Sequence, residues 1–455
     1  MNRFLSWLRE PVDGASLAVF RIAFGGILLW DAFRYWPRIQ HLFLDGLENP
    51  GGGFQFKYFG WEWVPALPGN GMYILFAVIG LASLGIMLGL FYRTACLVFL
   101  IAFSWQFFIE QANYLNHFYL VMLYGICLLM VPADQVWSLR RGERNDWIPR
   151  WSLLGLLIMT EIVLLYAGLV KMNSDWLSGW PLTFWFSSRA EEHPLMAPLL
   201  TAPDFAIFGA WFSMSLHLLG APLLFFKKTR LIVFCFYAIF HLSNATLFSI
   251  GIFPWMTLCA TTLFFDPGWP RRWLGRVTGS FQLGTRPARI ELSWEKPLMV
   301  LFGIFLLYNI LMPMRPLVYP GTVAWTEEGH RFSWRMKLRD KDARVEFQVL
   351  DPDTGKKWRV NPAIWLTRRQ FEKMPTRPDM ILQFAHHLDK VWQAKYRVSD
   401  PVVTAQTMCS LNFRELAMLV DPERDLSEIP RSLKSADWIL PLDPALQPGH
   451  YLQYE

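Results

Sequence analysis

Long apolar runs separated by short polar loops dominate residues 1–314. Stretches long enough, or nearly long enough, for the ~20 residues that cross a bilayer fall at 15–36, 72–92, 94–110, 114–132, 151–170, 205–226, 231–247, 248–265 and 297–314. The seventh and eighth almost touch, so a tight or re-entrant turn must join them. The pattern predicts a membrane α-helical bundle of about nine transmembrane helices. Beyond residue 314 the period changes. Arg344 to Val349 alternates with period two, Asp351-Pro352-Asp353-Thr354-Gly355 is a turn signal, and Lys357 to Val360 returns, which reads as a β-hairpin. Residues 378–395 have helical spacing and 401–420 resemble strands, so 315–455 is expected to form a small α+β extramembrane domain.

Composition agrees with a membrane protein. Of 455 residues, 53% are hydrophobic and only 18% charged, and 23 Trp and 37 Phe push the aromatic share to 16%. Disorder, a coiled coil and a small disulfide scaffold are excluded. The net charge of +6 reflects topology: with a cytoplasmic N-terminus, inside segments carry sixteen Lys and Arg, Arg141, Arg144 and Arg289 among them. Outside loops between spans carry Arg34, Arg38, Lys57, Lys171 and Arg189. This positive-inside bias orients the bundle and, with an odd number of spans, leaves 315–455 outside. No groove-reading motif appears, so nucleic acid is not expected as a partner. Met1 to Pro11 is too polar for the core of a cleaved signal peptide, so the first span is expected to drive insertion. Cys96, Cys127, Cys235, Cys259 and Cys409 are far apart with no CxxC, which argues against dithiol redox chemistry.

Ionisable side chains inside spans carry the candidate chemistry, because a bilayer tolerates them only with a partner or a function. They are Arg21, Asp31, Glu161, His217 and His241, with His117 and Lys171 at span ends. The orientation places His117, Lys171, His241 and Asn244, one helical turn after His241, toward one outward-facing region. Each has a plainer reading. Lys171 suits snorkelling to headgroups, His117 an interfacial anchor, and His241 with Asn244 an interhelical hydrogen bond. Arg21 and Asp31 are too far apart to pair with each other, so partners on neighbouring helices are expected. Glu191-Glu192-His193 lacks a spaced second histidine and reads as a solvated loop, and His386-His387 as part of a soluble helix. No metal is expected.

The segment Ala167-Gly168-Leu169-Val170-Lys171-Met172-Asn173-Ser174-Asp175-Trp176, followed by Gly179, resembles the catalytic-lysine segment of vitamin K-dependent gamma-glutamyl carboxylases. Asn116-His117-Phe118-Tyr119-Leu120 is similar to that family's Asn-His-aromatic-Tyr-Leu run. Phe240-His241-Leu242-Ser243-Asn244 and Leu247-Phe248-Ser249-Ile250-Gly251-Ile252-Phe253 resemble its Phe-His and Leu-Phe-Ser-Ile-Gly segment. Trp325-Thr326, Phe332 to Met336, Asn361-Pro362 and Asp421-Pro422 follow in the family's order, so the resemblance covers nearly the whole chain.

The resemblance implies an integral membrane enzyme, of a bacterial type, that uses O2 to convert reduced vitamin K or menaquinol to its epoxide. A base generated in that step removes a γ-proton from peptide glutamate, and CO2 captures the carbanion. By resemblance Lys171 is the base acting on the hydroquinone, and His117, His241 and Asn244 bind or orient the quinone. Implied partners are membrane lipid, the isoprenoid quinone and a peptide or protein glutamate, and the implied location is the bacterial inner membrane. Three features depart from the family. Animal members extend beyond the region matched, the position of their tail cysteine partner to Cys96 is His387 here, and a histidine before Trp325 has no counterpart among Arg315 to Ala324. Alternatives are a quinone epoxidase without carboxylation and a non-enzymatic membrane protein or transporter sharing the helical domain.

Overall fold

The structure, a computed structural model, describes residues 2–45, 53–140, 145–248, 250–278, 284–288, 290 and 294–450. Arg141, Arg144 and Arg289 of the charge bias and Ser249 of the resembling segment lie outside them. Among the described residues the bundle is built from the apolar helices α1 Ala15–Tyr35, α2 Gly71–Leu88, α3 Tyr92–Ile109, α4 Asn116–Met130, α5 Arg150–Leu169, α6 Phe205–Ser215, α7 Arg230–Leu247, α8 Phe253–Thr261 and α9 Glu295–Leu311. Among the described residues seven of these, with their continuations, are long and apolar enough to cross a membrane; α4 and α8 are shorter. The chain is a multi-pass membrane protein. Its helices follow from unbroken runs of Leu, Ile, Phe and Ala, whose backbone groups only a helix satisfies without water.

The fully buried Arg21 of α1 has no carboxylate partner among the described residues. Its guanidinium donates to backbone carbonyls: Nε to Ala133 at 3.0 Å, Nη1 to Ile86 at 2.7 Å, and Nη2 to Trp137 at 2.6 Å. The carbonyls at the C-terminal end of α2 and in the turn after α4 carry partial negative charge and have lone pairs to spare, so one arginine bridges both. Asp31 differs from the expectation of a partner on another helix, because Arg34, one turn on along α1, takes it. A helical i,i+3 spacing already brings the two side chains together.

After α9 the chain forms an antiparallel sheet in the order β4-β3-β5-β6, from β3 Lys341–Leu350, β4 Lys357–Val360, β5 Val402–Leu411 and β6 Ala417–Met418. An N-terminal ribbon, β1 Pro11–Asp13 with β2 Trp147–Pro149, is the only other sheet among the described residues. The hairpin pairs Phe347 with Val360 and Leu350 with Lys357. Val345, Phe347 and Val349 alternate inward from β3 onto helix α11, Pro378–Tyr396, where Phe347 meets Phe384 edge-on at 5.0 Å. A shorter helix, α10 Arg368–Lys373, begins with a capping box between Thr367 and Gln370.

Polar contacts lock this tail to one end of the bundle. Gln383 Nε2 donates to Gln111 Oε1 at 3.1 Å while its Oε1 accepts from Lys57 N at 2.7 Å. Gln370 Nε2 donates to Glu110 Oε2 at 2.8 Å. Burial pushes the Glu110 carboxyl up to about 7, although Ala112 N–H, Gln370 and Phe56 N–H all donate to it. Phe56 and Ala112, from bundle loops, are part of the tail's own apolar core.

Candidate active site

Helix α5 ends at Leu169, and the next residues carry the site lysine into the protein rather than out to headgroups. Asn173 Oδ1 accepts from Trp176 N at 3.0 Å and caps a short helix, Ser174–Leu177. That turn brings the buried Trp176, whose Nε1 donates to Ala210 O at 3.1 Å, to Lys171. The indole centroid lies 5.6 Å from Lys171 Nζ. Nζ donates to Ala167 O at 2.5 Å, and no carboxylate of the described residues pairs with it. Lys171 is only 6% exposed, and burial alone pushes its ammonium down to about 7.

Lys171 opens into a cavity of about 990 Å³ between α4, α5, α6, α7 and the tail. His117, at the first turn of α4, and His241 and Asn244, near the end of α7, line the same cavity. His241 is 1% exposed and, among the described residues, neither ring nitrogen has a hydrogen-bond partner; His117 Nε2 is equally unpartnered among them. Buried polar atoms are almost always satisfied, so three orphaned imidazole nitrogens facing one cavity point to a ligand with hydroxyl or carbonyl groups. His217 also lines it, donating from Nδ1 to Ser213 O at 2.6 Å and packing edge-on against Phe240 at 5.1 Å.

Two glycines hold the walls close. A Cβ on Gly168 of α5 would stand 2.8 Å from Leu218 and 3.0 Å from His217 Cβ. Gly251 adopts φ +62°, and a Cβ there would meet the Arg34 guanidinium at 3.3 Å and His117 Nε2 at 3.6 Å.

The opposite wall is cationic. Seven Lys and Arg side chains of the tail, between Arg335 and Arg377, line it against one carboxylate, Glu372, among the described residues. Lys341 Nζ donates to Trp325 O at 2.5 Å and stands 3.7 Å from Glu327, which also pairs with Arg339. Lys337 lies over the rings of Trp185 and Phe248 at 5.2 and 5.3 Å. Burial and the nearby Arg339 hold His330 well below its ordinary value, so a neutral imidazole faces this wall. The tail is joined to the lysine segment by Asp175, which accepts from Arg414 Nη1 and Nη2 at 2.7 and 2.8 Å and from Asn412 Nδ2 at 2.7 Å.

Residues 9–269 match the HTTM domain, and residues 294–445 match the lumenal domain of vitamin K-dependent gamma-carboxylase. The chain belongs to the gamma-carboxylase family. No solved structure matches it. The two matches meet at this cavity: the HTTM part supplies Lys171, His117, His217 and His241, and the carboxylase lumenal part supplies His330 and the cationic wall. A vitamin K-dependent carboxylase-like membrane protein is thus what both sequence and architecture describe, and the family draws on reduced vitamin K, O2 and CO2.

In this carboxylase relative all four sequence-predicted residues, Lys171, His117, His241 and Asn244, line one cavity. Asn244 is half-buried and the other three are less accessible at their polar atoms. Glu191 and Glu192 lie on the surface, Glu192 pairing with Arg189 at 2.6 Å, and His386 and His387 belong to α11. Cys96 is a buried free thiol in α3. Sequence reasoning missed His330, four residues after Thr326, and assigned no role to His217, although its position in an apolar run was a signal. It also missed the cations of residues 335–377, which read as ordinary charges of a soluble domain.

Proposed function

We propose that this chain oxygenates a reduced quinone, vitamin K hydroquinone or menaquinol, to its epoxide and couples that step to carboxylation of peptide glutamate. The observation that carries the reading is one cavity with a buried Lys171, paired with no carboxylate among the described residues, on its bundle side and a cationic wall on its tail side. A lysine held near 7 is about half neutral at pH 7, against on the order of one part in three thousand at its ordinary value. Lys171 Nζ therefore accepts the hydroquinone hydroxyl proton. His117, His241 and Asn244 orient the quinone oxygens through their unused hydrogen-bonding capacity, and Phe240 and Phe253 offer ring faces beside His241.

In the overall reaction the quinol and O2 give the epoxide and water. The γ-C–H of glutamate loses a proton, and the carbanion adds CO2 to give a second carboxylate. The chain's part in that half is to keep water out, since a carbanion in contact with water is quenched. On this reading residues 1–314 carry the chemistry and 315–455 form an extracytoplasmic cover through which the peptide approaches. All nine apolar helices cross the bilayer, with the N-terminus cytoplasmic in a bacterial inner membrane. The positive-charge bias supports that orientation. The test is incubation of purified protein with hydroquinone, O2, labelled bicarbonate and a glutamate peptide, with single omissions. Epoxide and peptide label that both require hydroquinone and O2 are expected. Epoxide without label across several peptides would reduce the activity to epoxidation, and neither product from folded protein would remove the enzyme reading.

A further inference from the structure

The end of the bundle away from the tail carries cations that the chain does not neutralise. From Ala221 to Thr278 the sequence holds six Lys and Arg, at 227, 228, 230, 271, 272 and 276, against one acid, Asp266. Two have partners. Arg271 is buried between Asp13 and Asp146, at 2.9 and 2.6 Å, and Arg272 takes Asp266 at 2.7 Å. Lys227, Lys228, Arg230 and Arg276 have no carboxylate partner among the described residues. Of the Arg230 guanidinium, Nη2 donates to Phe225 O at 3.0 Å, while Nε lacks an acceptor among them. The fold brings the two segments together, with Phe225 edge-on to Phe264 at 5.0 Å and Phe234 to Phe265 at 5.3 Å. Burial opposes ionisation of Asp266, but hydrogen bonds from Arg272 and Gly268 N–H, with the charges of Arg272 and Arg230, hold its carboxyl below the usual range. Helix α7 places this cluster far from the cavity, because Arg230 opens the helix and His241 lies roughly 16 Å further along it.

These cations sit where apolar spans stop. The span that contains α6 ends at Leu223 and α7 begins at Arg230, so the turn between them stands at the edge of the apolar layer. Phe226 and Leu231 are exposed on either side of it. On the short helix Trp269–Thr278, Trp273 and Val277 are exposed one turn apart, and so are Arg272 and Arg276. An apolar row beside a basic row suits a helix lying in the membrane interface, with acyl chains against one and headgroups against the other. A free phosphate would match the cations and leave Phe226, Leu231 and Trp273 uncovered. We infer that the α6–α7 turn and the helix Trp269–Thr278 form a binding site for an anionic phospholipid, its headgroup held by Lys227, Lys228, Arg230 and Arg276 and its chains covering Phe226, Leu231 and Trp273. A basic pocket between span ends favours such a headgroup over a zwitterionic one because the zwitterion's own cation opposes the pocket. The inference is independent of the reaction proposed for the cavity.

The experiment is native mass spectrometry of the full chain released from nanodiscs that hold equal parts of phosphatidylglycerol and phosphatidylcholine with the same acyl chains. Wild type should retain phosphatidylglycerol over phosphatidylcholine by roughly tenfold, and the preference should shrink when the nanodiscs are equilibrated at high salt. Lys227→Gln/Lys228→Gln and Arg276→Gln should each cut the preference by about threefold or more, while Lys227→Arg/Lys228→Arg should keep it. Arg359→Gln, on the exposed strand β4 of the tail, should match wild type. Thermal unfolding in phosphatidylcholine alone shows that each variant is folded, and these surface changes should leave it near wild type. No preference in wild type, or an undiminished one in both Gln variants, would overturn the inference. So would an equal loss in Arg359→Gln, which would mean attraction by net charge alone. Displacement of phosphatidylglycerol by glycerol 3-phosphate, which has the phosphate without the chains, would overturn it in favour of a soluble anion.

Discussion

On the proposed reading, Lys171 works against stability in order to be a base. Its folded-state pKa, about 7, lies below the ordinary lysine value, so the folded protein binds fewer protons than the unfolded chain between the two. The resulting destabilisation is fullest below about pH 7, on the order of 5 kcal/mol, and fades as pH rises toward ~10.4. Lys171→Met should therefore melt at or above the wild-type temperature at pH 6, with the gain diminishing by pH 9, in thermal unfolding of purified protein. A lower melting temperature at pH 6 would mean that the ammonium is well solvated or paired. Wild-type quinol oxidation should climb with pH through about 7 and then level. Trp176→Ala admits water beside Nζ, and the pH–rate midpoint should move up by roughly one pH step or more. The lysine was legible in the sequence because ionisable residues next to apolar runs are few and each needs a reason. Arg335, Arg369, Lys373 and Arg377 were not, because each is an unremarkable charge until two loops and helix α10 bring them to one wall.

At the scale of elements, α4 shows what a hydropathy window cannot resolve. Its 15 residues make a helix too short to match the ~30 Å apolar layer unaided. Most of its side chains are buried against neighbours, with Tyr124 Oη bonded to Thr160 of α5 at 2.9 Å, so protein rather than lipid surrounds it. A helix so enclosed has no need to span the full thickness, and its early start is what sets His117 beside the cavity. The α5–α6 contact is equally specific. Gly168→Val would push Leu218 and His217 aside, and overpacking of this kind is expected to destabilise by about 1–3 kcal/mol and to lower oxidation rate; unchanged melting and rate would show that the wall yields. The Asp175–Arg414 pair joins the lysine segment to the tail. Burial opposes ionisation of Asp175, but hydrogen bonds from Arg414 and Asn412 prevail and hold its carboxyl below the usual range. The pair's contribution is thus present at neutral pH and lost as pH falls through the folded-state value. Arg414→Ala should cost about 2 kcal/mol at pH 7, less than a fully enclosed pair because Asp175 keeps partial solvent contact, and the difference should shrink in acid. A constant difference across pH would remove the ion pair as its cause. The hairpin and α11 were readable because period-two and 3.6-residue patterns are local; the Asp175–Arg414 contact, more than two hundred residues apart in sequence, leaves no local trace.

For the whole molecule, the account needs Lys171, the histidines and the tail on one side of the membrane. In a cysteine-free background, an impermeant thiol reagent applied to intact cells should label Asp353→Cys in the tail but not Lys228→Cys before α7. The reverse pattern would invert the topology. The order of apolar runs and the change of period after residue 314 were enough to anticipate a bundle followed by a mixed domain. That both halves line a common cavity was not, because neither half's pattern refers to the other. The central claim is that the buried amine of Lys171 is the base that starts quinone oxygenation. Its most direct test is oxygen-dependent epoxide formation by wild type and Lys171→Ala, both folded by thermal unfolding and both given the same hydroquinone. The account predicts epoxide from wild type and a loss of at least roughly a thousandfold in the variant, in line with removal of a positioned general base. Comparable rates in the two proteins would contradict it.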